Sequence, residues 1–138
     1  MYDLVLKGGR VVDPSCGHDG VLDVAVENGK IARVAAAIPP AEAARVIEVA
    51  GKVVTPGLID LHAHVFEGVT RNGVHPDLGG VYSGVTTIVD AGSSGAATFA
   101  AFPRHVIPAC RTEVIPFLHI CQTGLATSPD IIAESSID

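Results

Sequence analysis

The decisive stretch of this chain is Val54-Thr55-Pro56-Gly57-Leu58-Ile59-Asp60-Leu61-His62-Ala63-His64. It opens with a turn-forming Thr-Pro-Gly and continues as an apolar strand that ends in two histidines spaced i, i+2. Because successive strand residues face opposite sides, Asp60, His62 and His64 share one face. The two histidine Cβ atoms then lie roughly 6.6 Å apart, and both imidazoles can bind one cation at about 2.0–2.1 Å. The spacing predicts half of a metal site on a strand.

A bare His-x-His pair also occurs on ordinary protein surfaces. The alternative interpretation of His62 and His64 is therefore a pair of solvated or capped histidines. The context favours metal binding, because an almost uninterrupted apolar strand leads to the pair and hairpin-like sequence fills residues 1–54 before it.

The composition indicates a globular protein with a buried core. The chain has 138 residues, of which 48% are hydrophobic and 17% charged. Its formal charge of −6 argues against nucleic acid as a partner, since phosphate binding needs clustered Lys and Arg. A signal-peptide pattern and an apolar run of roughly 20 residues are both missing, so we expect no membrane span. The widely spaced Cys16, Cys110 and Cys121 predict reduced thiols in a cytoplasmic protein.

The sequence pattern of residues 1–54 predicts short strands separated by turns. Gly8-Gly9 predicts a hairpin between strands at 3–7 and 10–14, and Asn28-Gly29 predicts a second hairpin further along. Further short strands follow the break at Pro39-Pro40. Four to six such strands predict a small β-sandwich or open barrel as a first domain.

Residues 55–138 alternate strands with helical segments. Strands are predicted at 57–65, 85–90 and 113–120, and helical segments at 76–84 and, interrupted by prolines, at 97–111. This alternation predicts βα units and a parallel sheet. A (β/α)₈ barrel typically needs about 250 residues, so the chain has room for about three of eight units. The stretch 128–138 reads as a loop that leads into another helix, and we expect the chain to be the front third of a longer protein.

Three motifs carry a resemblance to a known family. Residues 3–14 resemble the first hairpin of dihydroorotase-type and dihydropyrimidinase-type amidohydrolases, and residues 55–64 resemble their metal-binding first barrel strand. Residues 83–93, which end in Asp-Ala-Gly-Ser, resemble the second strand of the dihydroorotase-like amidohydrolase/deacetylase family. The resemblance implies an α/β fold: a small N-terminal β-sandwich (1–54), then the first three or so βα units of an incomplete TIM-type barrel (55–138).

The same resemblance implies metal-assisted hydrolysis of an amide or related acyl bond in a small molecule. His62 and His64 would bind a divalent metal ion, usually zinc, in a site that holds one or two ions. A carboxylated lysine, two further histidines and a proton-shuttling aspartate would lie on later strands, beyond residue 138. We therefore expect no catalytic residue within this chain, an inactive 138-residue product, and a homo-oligomer at full length. Dihydroorotase proper has a substrate-binding arginine where this chain has Phe66, which favours deacylation or deacetylation instead.

Three other residues are candidates for contacting substrate or orienting a metal ligand. Asp60 shares the histidine face, and a structural hydrogen bond along the strand is its alternative role. Asp90 and His119 end the second and third strands of the barrel-like part, where barrel active sites form. Their alternatives are a cap for the next turn and a partly buried histidine bonded to backbone. Gly92-Ser93-Ser94-Gly95 reads as a turn, and His18, His75 and His105 as surface residues.

Two further functions stay open beside the hydrolase. The chain could be a non-catalytic binding or assembly module, because a partial barrel leaves an apolar strand edge that can pair with another chain. It could also be a metal-sequestering protein, which a two-ligand site makes the weaker alternative.

Overall fold

The computed structural model describes residues 1–126 and shows two compact units, the first at Met1–Pro56 and the second starting at Gly57. Each unit has its own sheet. The loop predicted at 128–138 lies outside the described residues.

The sheet of the first unit has five strands in the order β3-β2-β1-β4, with β5 also paired to β1. β1 runs antiparallel to β2, as β2 does to β3, whereas β4 and β5 lie parallel to β1. The strands are β1 (Leu4–Asp13), β2 (His18–Glu27), β3 (Lys30–Ala35), β4 (Val46–Glu48) and β5 (Val53–Val54).

The hairpin predicted at Gly8-Gly9 is wrong, because β1 runs straight through both glycines. Gly8 has a φ of +75°, and the pairing with β2 shifts register between Leu6 and Gly9, which is the mark of a β-bulge. The buried carboxylate of Asp23 accepts the Gly8 N–H at 2.8 Å and so holds the bulge in place. The chain reverses later, in the turn between β1 and β2.

The Asn28-Gly29 hairpin is confirmed. Asn28 and Gly29 have φ values of +52° and +72°, and Glu27 pairs with Lys30 across the turn. Positive φ at both central residues is what a two-residue hairpin turn needs for its twist to match that of the strands.

The second unit holds a three-stranded parallel sheet in the order β6-β7-β8, as the alternating pattern predicts. Its elements are β6 (Leu58–Ala63), helix α1 (Pro76–Gly79), β7 (Val85–Ser94) and β8 (Glu113–Leu118). β7 is four residues longer than predicted and includes Ser93 and Ser94, so the turn expected there is wrong.

The helical segments are short. After α1 comes a 3₁₀ turn at Val81–Ser83, and Gly84 ends it with a φ of +84°. A π-helical turn at Phe102–Val106 and a 3₁₀ turn at Ile107–Ala109 form the second segment. Pro103 and Pro108 lack the N–H that a continuous helix requires, so this segment is broken as expected.

The second unit has its own hydrophobic core. It is formed by the buried residues Val65, Phe66, Ile88, Phe102 and Val114. The outer strands β6 and β8 are far less covered: Leu61 is 72% exposed and Phe117 57%. Within residues 1–126, no helix is long and apolar enough to span a membrane. The architecture is thus mixed α/β, while the sandwich and the barrel stay predictions.

Candidate metal half-site at the carboxyl end of the parallel sheet

The strand that carries the histidine pair begins with a glycine for a steric reason. A Cβ at Gly57 would collide with the side chain of Thr86 at the start of β7. Glycine therefore lets the two strands approach, and β6 enters the sheet directly after the Thr55-Pro56 turn. The strand ends at Ala63, so His62 is its second-last residue and His64 follows it.

The two imidazoles lie side by side. Their ring centroids are 5.6 Å apart and the ring planes cross at 87°. Two rings that bind one tetrahedral ion at about 2.0–2.1 Å have centroids roughly 5 Å apart, so the observed separation is close to that of two rings sharing one ion. His62 is exposed and His64 is half-buried. The two imidazoles are thus suited to bind a divalent ion such as zinc, as two of its several protein ligands.

Ser93 on β7 holds the ring of His64. Its Oγ lies 3.0 Å from His64 Nδ1. With Nδ1 engaged, Nε2 is the nitrogen left for a metal, and such hydrogen bonds orient histidine ligands in metal sites. Ser93 is fully buried, so its hydroxyl position is set by packing.

Asp90 ties the end of β7 to the segment that follows β6. Its Oδ2 accepts the N–H of Val65 at 2.8 Å, and its Oδ1 accepts the N–H of Ser93 at 2.7 Å. The carboxylate is fully buried, and its two bonds end at Ser93 itself and at Val65, the neighbour of His64. Asp90 therefore acts as a clamp on this contact. The Ser93 N–H that it accepts lies within β7 and not in the turn expected there.

Within residues 1–126, Asp60 forms no hydrogen bond with an imidazole. Its Oδ1 accepts the backbone N–H of His62 at 3.0 Å, two residues along the same strand. The contact is local and exposed, and it supports the backbone of β6 at the first histidine.

His119 follows β8 and lies against the end of β7. The backbone N–H of His119 donates to the carbonyl of Ser94 at 2.8 Å, and its ring Nδ1 accepts the backbone N–H of Cys121 at 2.9 Å. A Cβ at Gly92 would come within 3.2 Å of the His119 ring, so glycine leaves room for it. His119 and His64 therefore both meet the carboxyl end of β7, at Gly92 and Ser93.

The other histidines stand apart from this arrangement. His75 caps α1, where its Nδ1 accepts the N–H of Asp77 at 3.2 Å. His18 begins β2 in the first unit, and His105 lies in the π-helical turn. Across the described residues 1–126, no three or more His, Cys, Asp or Glu side chains form a group that could hold a metal ion.

Sequence reasoning missed Ser93. The signal was the polar run Asp90-Ala91-Gly92-Ser93-Ser94. The sequence pattern ends the strand at Asp90 and predicts a turn at Gly92-Ser93-Ser94-Gly95, whereas β7 continues to Ser94. Ser94 beside it is also fully buried, and its Oγ has no hydrogen-bond partner within residues 1–126.

Sequence comparison relates the chain to longer bacterial enzymes. It is 40% identical over 99 residues to a deacetylase of Agrobacterium fabrum, a match that covers 71% of this chain and 24% of that protein. It is 51% identical over 63 residues to a dihydroorotase of Geobacter sulfurreducens, a match that covers 46% of this chain and 15% of that protein. The chain thus spans about a quarter or less of the curated relatives it matches. No family model matches the sequence.

Solved structures agree with these relatives. The match with a dihydroorotase structure covers 98% of this chain and 36% of the dihydroorotase chain, with a TM-score of 0.84 and 31% identity. An adenine deaminase matches 100% and 36%, with a TM-score of 0.80 and 32% identity. A D-aminoacylase with a binuclear metal centre matches 67% and 19%, with a TM-score of 0.54 and 36% identity.

Proposed function

Because this chain belongs to the amidohydrolase superfamily, we propose that it contributes the first two metal ligands of a metal-dependent hydrolase within a longer polypeptide. The observation that carries the proposal is the pair His62 and His64, with ring centroids 5.6 Å apart and His64 held by a buried serine. We assign the chain to the N-terminal part of a dihydroorotase-like amidohydrolase/deacetylase.

The proposal includes a fold for the complete protein. Residues 1–54 form a small β-sandwich domain, and β6, β7 and β8 are the first three strands of a (β/α)₈ barrel that starts at residue 55. The parallel order β6-β7-β8 supports this assignment. So do the exposed apolar side chains of the two outer strands, since neighbouring strands and helices of a barrel would cover them.

The residues present fit part of a divalent metal site, with zinc as the proposed ion and one or two ions per site. When bound, such an ion lowers the pKa of its water and polarises the scissile carbonyl. The residues of this chain would hold and orient the ion. His62 and His64 would each supply one ring nitrogen, and Ser93 and Asp90 fix the orientation of the His64 ring. Two histidines fall short of the three or four protein ligands of a zinc site. The remaining ligands and the proton-transferring aspartate would come from later residues.

The proposed substrate is a small N-acyl or O-acyl compound. The residue two positions after His64 is Phe66, whose side chain is 4% exposed and packs on Phe102 with ring centroids 4.9 Å apart. A buried phenyl ring cannot bind the carboxylate that the corresponding arginine binds in dihydroorotase proper. The 40% identity with a deacetylase and the structural likeness to a D-aminoacylase also favour deacylation. We propose a cytoplasmic enzyme that is homo-oligomeric at full length and has no nucleic-acid or membrane partner.

The test uses the longer polypeptide that carries this chain. Sequencing the coding DNA beyond Asp138 should show a continuing frame with a strand-borne lysine, two histidines and an aspartate. The purified protein should contain stoichiometric zinc, manganese or cobalt and release acetate or another acid from acyl compounds. His62→Ala and His64→Ala should each lose metal, whereas the matched control His105→Ala should keep it. A stop codon after Asp138, or a metal-free active protein, would contradict the proposal.

A second candidate, a non-catalytic assembly module, is favoured by one observation. Both outer strands expose large apolar side chains: Leu58, Ile59 and Leu61 on β6, and Ile115, Phe117 and Leu118 on β8. Such edges pair readily with another chain. Size-exclusion chromatography of the 138-residue chain separates the two functions, because a defined oligomer supports the module and a monomer with a cooperative melt removes its basis.

A further inference from the structure

The second unit contains a cavity of about 280 Å³ whose lining includes neither His62 nor His64. Its walls come from three parts of the chain: the segment after β6, the start of α1 and the helical turns after β7. The volume lies near the lower end of the range for small-molecule pockets, which is roughly 300–1,000 Å³. All of these walls lie within residues 65–109, so later residues of a longer polypeptide are not needed to form the cavity.

Most of the lining is apolar. Val65 and Phe66 are buried, Val106 is half-buried and Ala109 is exposed. The ring of Phe66 packs on Phe102 with ring centroids 4.9 Å apart, so its position is set by the core. These side chains suit the apolar body of a ligand, because removing apolar surface from water is the main favourable contribution to most binding.

The loop that forms one wall of the cavity is held in shape by its own hydrogen bonds. The carbonyl of Phe66 accepts the N–H of Val69 at 3.2 Å and the N–H of Thr70 at 3.0 Å. Further along, the N–H of Val74 donates to the carbonyl of His64 at 3.1 Å, which closes the loop at its base. A wall that is already ordered loses less conformational entropy when a ligand binds.

Three polar side chains line the same cavity: Glu67, His75 and His105. The Nδ1 atom of His75 accepts the backbone N–H of Asp77 at 3.2 Å, and a backbone N–H can only donate. The neutral ring therefore carries its proton on Nε2, which is a donor, whereas the carboxylate of Glu67 is an acceptor. Among the described residues, 1–126, no Lys or Arg lines the cavity.

These groups disfavour a charged ligand. A carboxylate would meet the carboxylate of Glu67 without a lysine or arginine to pair with. An ammonium group would pair with Glu67, but this side chain is exposed, so solvent weakens the attraction, and the N–H of His75 would face another donor. Moving either charge against apolar walls also costs free energy unless the charge is paired. An amide is uncharged and carries both an acceptor, its carbonyl, and a donor, its N–H.

We propose that this cavity binds a small uncharged amide with an apolar body, at a site separate from the metal half-site. The amide carbonyl accepts the Nε2–H of His75, the amide N–H donates to Glu67, and the apolar body packs on Phe66. The site uses no metal and no residue beyond 109, so it holds whether or not the longer polypeptide is a hydrolase. Val65 lines the cavity and directly follows His64, so an amide bound here contacts the segment that carries the second histidine.

Titrating acetanilide, an uncharged aromatic amide, into the ¹⁵N-labelled 138-residue chain tests the proposal. At about pH 8 an imidazole of ordinary pKa, about 6.5, is neutral. The ¹H–¹⁵N spectrum should show saturable shifts at Phe66, His75 and Val106, with a dissociation constant of about 1–10 mM for a ligand of this size. Phenylacetate and benzylamine are similar in size and carry opposite charges, and each should bind at least about fivefold more weakly. Binding of either as tight as that of acetanilide, or no saturable shift with acetanilide, would overturn the proposal.

Three variants test the place of binding and the role of the ring. Ala109→Phe adds a ring at a lining residue and should weaken acetanilide binding at least about 10-fold, because it fills the cavity. Ala100→Phe is the matched control, since Ala100 is a nearby exposed residue outside the lining, and should change binding less than about twofold. His75→Ser keeps an oxygen to cap α1 but removes the ring N–H, and should weaken binding about fivefold. Unchanged binding in folded Ala109→Phe, or equal losses in both phenylalanine variants, would refute the site. If Ala109→Phe does not fold, the comparison of the three compounds on wild type still decides.

Discussion

Replacing Asp90 with asparagine should remove the clamp on His64 without changing the volume of the side chain. In wild type, two buried backbone N–H groups, from Val65 and Ser93, donate to the two carboxylate oxygens. The asparagine oxygen can accept one of them, and its NH₂ group then faces the other. One buried N–H loses its partner, at about 1–3 kcal/mol, and the remaining bond loses its charge assistance. We expect Asp90→Asn to lower the free energy of unfolding by about 2–4 kcal/mol.

Equilibrium urea unfolding and amide hydrogen exchange measure this effect. Exchange at Val65 or Ser93 should speed up more than at the core strand residue Ile88. Asp60→Asn is the matched control, because the Asp60 carboxylate makes one exposed hydrogen bond to the backbone of the same strand. We expect the control to change stability by less than about 0.5 kcal/mol. Equal effects of the two variants, or unchanged exchange at both clamped amides, would refute the clamp.

Two other predictions concern a buried carboxylate and a turn. Although burial acts to raise it, the pKa of Asp77 lies below its ordinary value because Thr112 donates from its N–H and hydroxyl and Arg111 from its N–H. This stabilisation is fully present above the unfolded pKa of about 3.9 and is lost as pH falls through the folded value, so Asp77→Asn should flatten the acid limb of stability against pH. An equally steep acid limb in the variant would contradict it. Gly29→Ala should cost about 1 kcal/mol in urea unfolding because Gly29 has a φ of +72°, whereas Gly20→Ala, without positive φ or a near neighbour, should be harmless.

Local patterns predicted the parts of the fold that depend on neighbours in sequence. The Asn28-Gly29 turn is confirmed because its two positive φ values are a property of the turn residues themselves. The parallel order of β6, β7 and β8 is confirmed because helical segments between strands force them to run the same way. The hairpin predicted at Gly8-Gly9 is wrong for the opposite reason, because it depends on a residue distant in sequence. Whether two glycines make a turn or a bulge depended on Asp23, which lies on another strand.

The site divides in the same way. The sequence by itself predicted that His62 and His64 share a face, since the period of a strand is two residues, and their ring centroids lie 5.6 Å apart. Only the tertiary structure decided that Ser93 meets His64, across 29 positions of sequence, and that Asp90 clamps both strands. These contacts depend on the register between β6 and β7. That register is set by packing between segments distant in sequence, which no local periodicity encodes.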